Sequence, residues 1–419
     1  MKVHKSPLKP RPIVFYSGSL LEGLGLWLDD KLQQVAKQMK SYFKSSFDLK
    51  QRLMRLELPP NCYLFTADAK SMYTNIPTDF ALRAIRTYLT RNKRRFPDLP
   101  IKAIVSALTI IMKYSYFRFG DTIWKQILGT AMGAPPAPPY ATIFYGILEE
   151  MFLASPNLLT NLIFYLRFID DVFGIWRVTN PATNQQSWEA FKAKMNNQRF
   201  GLEWEHTNLV RTVDFMDLTI SLTADNRVRT TLFEKASNLH LYIPSHSAHP
   251  PGLISGIVYG NLFRIYTLCS DEEDRRAKTR LFFHWLLARG YQADAIKSLF
   301  QAAIQWARSY NGPQPKRSKD AMGFVLLHLQ YHPQDPPSRE LQQAWRDCIA
   351  SPPYSQPLNE IKSPWTAAPG QARTRGGHKK LGLDRMIIAC SRPPNLGNLL
   401  SYRKLASDAG PPASSFAQE

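Results

Sequence analysis

Apolar residues change their period several times along this chain, and each change predicts an element. Helical spacing runs near Leu20–Met39, with Gly23 and Gly25 weakening its start. Leu64–Ala67 is a short β-prone run that ends at Asp68. Thr78 is placed to cap a helix from about Asp79 to Thr90. Ile101–Met112 is apolar on most sides and predicts a core helix. After a proline-rich stretch, Ile143, Ile147 and Phe144, Leu148 recur on one face of a helix over about Tyr140–Phe152. Two β-prone segments within Tyr165–Trp176 flank Asp170 and Asp171 and predict a hairpin with both acids at its turn. A helix near Trp188–Asn197 follows, then strands near Val213–Leu222 and Arg227–Phe233 joined by Ala-Asp-Asn. From about residue 256 the pattern is helical. Ser270-Asp-Glu-Glu273 reads as a capping box for a helix that stops at Gly290, and another helix spans about Ala293–Tyr310.

Two acids inside an apolar hairpin conflict with their surroundings, because desolvating a carboxylate costs several kcal/mol. A cleft edge and a neutralising cation resolve the conflict, and hard divalent cations, Mg²⁺ above all, take oxygen ligands. Asp68, at a strand end, is a third acid that could converge with Asp170 and Asp171 on two metals, the arrangement of phosphoryl transfer. Gly129 and Gly133 permit close backbone approach to a ligand. Taken singly, each piece has a plainer reading: an acidic turn, a strand-end acid, a Pro-rich turn before a core helix.

Together they resemble reverse transcriptases. Asp68 with Tyr73, the Gln126–Gly133 loop with its helix, and Phe168-Ile-Asp-Asp171 follow the order of the palm motifs of that group. Finer wording resembles the Penelope-like retroelements: Lys2-Val-His-Lys5, Lys9-Pro-Arg-Pro-Ile-Val14, Tyr73-Thr-Asn-Ile-Pro77, Gly129-Thr-Ala-Met-Gly133 and Arg167-Phe-Ile-Asp-Asp171. So do Val213–Ile220, Leu239–Pro250 and Arg392–Leu400, so that the resemblance covers roughly residues 1–405. It implies an α+β right-hand polymerase: partial fingers over 1–60, palm over 61–255, helical thumb over 256–350, a flexible basic Pro/Gly-rich insertion over 351–384, the thumb end over 385–405 and a disordered tail over 406–419. Asp68, Asp170 and Asp171 are then the metal-holding catalytic acids, for two Mg²⁺ ions with Mn²⁺ as a possible substitute. Tyr73 is a steric gate against ribonucleotides, Gln126, Gly129 and Gly133 line the nucleotide pocket, and Arg11 meets the triphosphate, with Lys5 or Lys9 as helpers or as solvated lysines. Lys235 is a candidate general acid. The implied partners are an RNA template, a DNA primer and deoxynucleoside triphosphates, with no membrane, in an intracellular and nuclear setting.

The chain departs from the pattern where Phe168 replaces a tyrosine, where Pro136 and Pro138 crowd the glycine loop, and where Met1 falls inside the fingers motif. The last point leads to the expectation of shortened fingers, and with it a second reading: a non-catalytic remnant that only binds nucleic acid. Relatives often carry a GIY-YIG endonuclease, and nothing after residue 400 resembles one, so nicking is not expected of this chain.

Composition agrees with a polyanion partner. Among 419 residues, 53 Lys and Arg stand against 33 Asp and Glu, a formal charge of +20. Arg91–Arg95 reads as a solvated helix end or a nuclear import signal. Four widely spaced cysteines, without a Cys-x-x-Cys pair, suggest neither a zinc ribbon nor a disulfide framework. The longest apolar run, Ala103–Met112, is too short to span a bilayer. His240, His246 and His249 lack finger spacing and read as a structural loop, and the acids at 271–274 read as helix capping.

Overall fold

The computed structural model describes residues 14, 16–154, 160–196, 202–247, 249, 252–310, 325–330, 336–350 and 386–391. The chain divides into two compact units, Met1–Leu239 with Arg264–Leu281, and His240–Phe263 with Phe282–Glu419.

In the first unit, α1 (Glu22–Ala36) buries Leu28, Leu32 and Val35, the expected helical stripe. A further helix, α2 (Ser46–Leu53), is capped by Ser45, whose hydroxyl accepts from the Asp48 amide. β1 (Cys62–Ala69) carries Asp68 next to its end and leads into one helical turn, Met72–Asn75. α3 (Thr78–Arg91) begins at the expected place, but Thr78 does not cap it. Pro77 holds the cap position and the Thr78 hydroxyl turns to the Gly129 carbonyl at 3.5 Å. α4 (Ile101–Lys113) buries one face through Ile104, Leu108 and Ile111, while Ile110 is exposed. A hairpin that periodicity did not predict, β2 (Tyr116–Phe119) and β3 (Thr122–Lys125), precedes the glycine loop.

α5 (Ala137–Leu153) starts a turn earlier than expected, with its prolines in the first turn, where a missing N–H costs nothing. β4 (Leu162–Phe168) and β5 (Asp171–Arg177) form the predicted acidic hairpin. α6 (Pro181–Met195) begins before the expected Trp188, because the Asn180 side chain caps it. β6 (Trp204–His206) completes an antiparallel sheet in the order β4-β5-β1-β6. The run 213–222 is not one strand. It turns at Met216, which adopts φ +53°, to give β7 (Thr212–Phe215) and β8 (Leu218–Leu222), and β9 (Val228–Leu232) follows across the predicted turn.

The sheet of β1 and β5 has aromatic packing on both faces. On one, Phe65, Trp176, Trp188 and Phe191 pack edge-to-face and stacked, with centroids 5.0–5.5 Å apart. Gly174 lies opposite Phe65 in the register, and a Cβ there would strike the Phe65 ring. On the other, Phe173, Phe215, Phe43 and Phe168 form a chain of tilted rings. Phe168, where the pattern has a tyrosine, packs its ring on Phe43 with centroids 5.5 Å apart.

α7 (Leu253–Leu268), α8 (Glu272–Ala288) and α9 (Ala293–Ser309) are the predicted helices. α8 ends in a Schellman motif: Gly290, at φ +86°, donates to Leu287 at 2.9 Å and Tyr291 donates to Leu286 at 3.3 Å. The capping box does not form. Ser270 spends its hydroxyl on the Thr230 backbone, and Asp274 with Asp271 pairs with Arg229 of β9. In the second unit Phe282 and Phe283 pack on Phe300. β10 (Val325–Gln330) and β11 (Met386–Ser391) run parallel, and α10 (Ser338–Ala350) lies between them in sequence. The expected insertion at 351–384 and tail at 406–419 lie outside the described residues, and of 385–405 the structure describes 386–391.

Candidate active site

The three acids meet at one end of the sheet. Asp68 and Asp171 are direct antiparallel register partners, so their side chains leave the same face. Asp170 occupies the two-residue turn between β4 and β5, and its carbonyl accepts from the Ala69 amide at 2.9 Å, which ties the turn to β1. Ile169, the first turn residue, has φ +55°. That is the sign pattern of a II′ hairpin, where glycine is the usual occupant, and a β-branched residue there is strained. Burial first, then Asp170 and Asp68, push the Asp171 carboxyl up to about 6, against the pull of Lys235. Among the described residues no group of three or more His, Cys, Asp and Glu side chains is gathered closely enough to hold a metal ion. The register brings the three backbones together, while the carboxylates themselves repel. The donor set fits a hard divalent cation, which would relieve that repulsion.

Tyr73 and the glycine loop adjoin this trio. Burial, and then the Asp170 charge, push the Tyr73 phenol up to about 12, the second effect reflecting its nearness to that acid. Its carbonyl accepts from the Thr130 amide at 2.7 Å, and its ring packs with Ala131, Ala134 and Ala137. Gly129 has φ +78°, and a Cβ there would enter the backbone of Tyr73 and Thr74. Gly133, at φ +114°, lies against the Val14 carbonyl, and Val14 donates to Met132 at 2.8 Å. The loop is therefore glycine-dependent for both reasons glycine is used: conformation and close approach. Gln126 is held within the loop itself, its amide donating to the Leu128 carbonyl at 3.0 Å.

Sequence reasoning missed the pair beneath the turn. Arg167 is 1% exposed and Glu149 3%. Their fork-on-carboxylate contact measures 2.6 Å at Nε and 3.0 Å at Nη2. Tyr165 donates to Glu149 at 2.7 Å, Ser41 also donates to it, and the Arg167 Nη1 donates to the Ile169 carbonyl at 2.9 Å. Burial pulls the guanidinium pKa down, and the Glu149 charge and hydrogen bond raise it by more. The signal available in sequence was an arginine within an apolar strand and a glutamate within an apolar helix, both of which demand partners.

On the acid-bearing face, Asp68, Asp171, Glu205, Asp214 and Phe215 line an open cleft of about 320 Å³. Glu205 stands opposite Asp68 in the β1–β6 register and pairs with Lys70 at 3.0 Å. Arg11, Lys5 and Lys9 lie outside the described residues. The histidines are not gathered: the His240 ring stacks on Trp285 with centroids 3.5 Å apart, and His249 bonds to Ser247 at 2.6 Å. Cys62 and Cys269 are buried free thiols. No helix among the described residues is long and apolar enough to cross a membrane.

A family model described as an animal helix-turn-helix domain matches residues 241–301. No curated protein matches the chain. Among solved structures, telomerase from Candida albicans in complex with a fragment of telomeric RNA is similar at 12% identity and TM-score 0.44, over 68% of this chain and 48% of that one. Apo telomerase from Candida tropicalis is similar at 13% identity and TM-score 0.41, over 71% and 52%. An RNA polymerase complex from inside a dsRNA virus is similar at 13% identity and TM-score 0.43, over 70% and 25%. The chain thus spans about half the length of the telomerase chains it matches.

Proposed function

We propose that this chain is an RNA-directed DNA polymerase of right-hand α+β architecture, from the Penelope-like branch of reverse transcriptases. The observation that carries the reading is the meeting at one sheet end of Asp68, Asp170 and Asp171 with Tyr73 and the glycine loop. Asp68, Asp170 and Asp171 would hold two Mg²⁺ ions, which, when bound, would neutralise charge at the phosphates and acidify a primer 3′-hydroxyl. The chain's own residues do the rest. Tyr73 fills the space a ribose 2′-hydroxyl needs, so deoxynucleotides are selected by a clash. Gly129 and Gly133 let the loop that borders the nucleotide seat against the Tyr73–Thr74 backbone and the Val14 carbonyl, Gln126 borders the same pocket, and Arg11 is the candidate to fork onto the triphosphate. Lys235, whose charge is felt at Asp171, is the candidate donor of a proton to the leaving pyrophosphate. The substrates are deoxynucleoside triphosphates on an RNA template with a DNA primer, and the setting is nuclear.

The test is primer extension on an RNA template with deoxynucleotides and Mg²⁺, beside Asp170→Asn. Extension by the parent and none by the variant, with equal template–primer binding, is the expected result. Equal extension by both would sink the assignment of the acids, and salt-sensitive binding without extension by either would favour a remnant that only binds. Tyr73→Ala should admit ribonucleotides; unchanged sugar selectivity would remove it as the gate.

A further inference from the structure

The acidic turn has an internal brace. Its two residues each have their carbonyl held: Asp170 by the Ala69 amide of β1, and Ile169 by the Arg167 Nη1 at 2.9 Å. Arg167 points away from the cleft, because it pairs with Val172 and so leaves the face opposite Asp171. Its Nε and Nη2 make three further hydrogen bonds to fixed partners. Nε and Nη2 fork onto Glu149 of α5, Nη2 also reaches the Thr142 carbonyl at 3.0 Å, and the Tyr145 ring lies 5.9 Å beneath it. Glu149 is in turn held by Tyr165 and Ser41, and the Ser41 carbonyl accepts from the Arg167 amide at 2.8 Å. Four segments thus converge on one ion pair: the stretch after α1, α5 (which supplies Thr142, Tyr145 and Glu149), β4 and the turn.

A buried ion pair is a poor way to gain stability, since desolvation offsets most of the attraction and an apolar pair of like volume often serves as well. What it supplies that an apolar pair cannot is direction: a guanidinium fixed through Nε and Nη2 aims its Nη1 along one line. That line ends on the carbonyl of Ile169, the one residue of the hairpin in a strained conformation. Strain of this kind persists only where the surroundings over-determine it. We propose that the Glu149–Arg167 pair is a positioning device that holds the strained Ile169–Asp170 turn and so fixes where Asp170 and Asp171 stand. The value of this to catalysis rests on the polymerase reading; the hold on the turn does not.

The test uses the full chain with both partners replaced together, Glu149→Leu with Arg167→Met, because a single replacement strands a buried charge and endangers folding. Arg167→Lys is the second variant, keeping the charge and losing the fork. Three measurements are made: thermal midpoint, hydrogen exchange of the peptide over Phe168–Val172, and kcat against KM in primer extension. In the double variant the midpoint stays close to that of the parent and the turn peptide exchanges on the order of tenfold faster. The kcat falls by up to about 100-fold, as expected for misplaced reacting groups, with KM and template–primer affinity unchanged. Arg167→Lys gives the same pattern in weaker form. Turn exchange equal to that of the parent in a folded double variant overturns the proposal. So does a kcat loss no larger than the folded fraction accounts for. Faster turn exchange with a parent that never extends a primer supports the brace and removes the polymerase reading, so the two failures are distinguishable.

Discussion

At the scale of single residues, the acids were legible because they contradict their neighbours. Asp170 and Asp171 sit in an apolar hairpin, and Asp68 ends an apolar strand, so a shared polar edge for the three could be expected from sequence; Asp68 and Asp171 line the cleft and Asp170 stands in the adjoining turn. Glu149 and Arg167 contradict their neighbours equally, yet their pairing links a helix to a strand across 18 positions, and no local period encodes that. Gly129 and Gly133 were legible as close-approach residues, and the backbone atoms they approach were not. Gly129→Ala should cost about 1–3 kcal/mol from its positive φ alone, and more because the obstacle is the rigid backbone of Tyr73. Chemical denaturation measures this, and an alanine variant as stable as the parent would contradict the conformation described. Two other residues titrate in opposite senses. Burial, then Lys192, lower His206 to about 4, so the unfolded chain binds the extra proton and His206 stability is lost as pH falls from 6.5 through 4. Asp171 is raised to about 6, so its contribution is present below pH 3.8 and lost as pH rises through 6. In chelator the two slopes oppose each other. Asp171→Asn should therefore steepen the acid-side fall of the thermal midpoint, and His206→Phe, which keeps a ring between Trp188 and Phe191, should reverse it. Parallel curves for both variants and the parent would refute the assignment.

Among elements, long periodic helices were the easiest to foresee, and short strands the hardest. The stretch 213–222 looked continuous because its turn, Met216-Asp217, has neither glycine nor asparagine, and Met216 takes the left-handed conformation regardless. Ser270 matched a local capping pattern, but the edge of β9 offered its hydroxyl a better use. The β2–β3 hairpin was overlooked although Gly120-Asp121 is a turn signal between two aromatic runs. That ribbon leads straight into the glycine loop. It exposes Tyr116 and Trp124, each 54% accessible, and lays Lys125 within 5.8 Å of two tyrosine rings. Rings beside cations suit a single strand, whose bases stack while its phosphates meet the lysine. Trp124→Ala should weaken single-stranded RNA binding by roughly five- to 150-fold, the equivalent of one lost stacked base at about 1–3 kcal/mol. Fluorescence anisotropy at fixed salt reads this directly, and an unchanged affinity would exclude the ribbon from the strand's path.

For the whole molecule, on the polymerase reading proposed above, charge sets how tightly a template–primer is held and barely touches the fold. The excess of +20 is spread over the chain, and only cations within about a Debye length of a phosphate, roughly 8–10 Å, exchange places with counterions. The number that matters is therefore the count of neutralised phosphates, not the net charge. A duplex-gripping polymerase that neutralises about six to ten phosphates loses about 10³- to 10⁵-fold in affinity between 50 and 200 mM salt. That range is the expectation for the parent, from anisotropy titrations on an RNA–DNA template–primer. Asp170→Asn should run parallel to it, because an acid at the sheet end contributes no counterion release from the nucleic acid. A log–log slope shallower than about −3, meaning fewer than about four phosphates, would show that stacking carries the affinity. The Trp124→Ala loss should then remain as large at high salt as at low. A steep slope with a salt-independent Trp124→Ala loss is the predicted combination: cations bring the strand in, and rings near the glycine loop hold it in register.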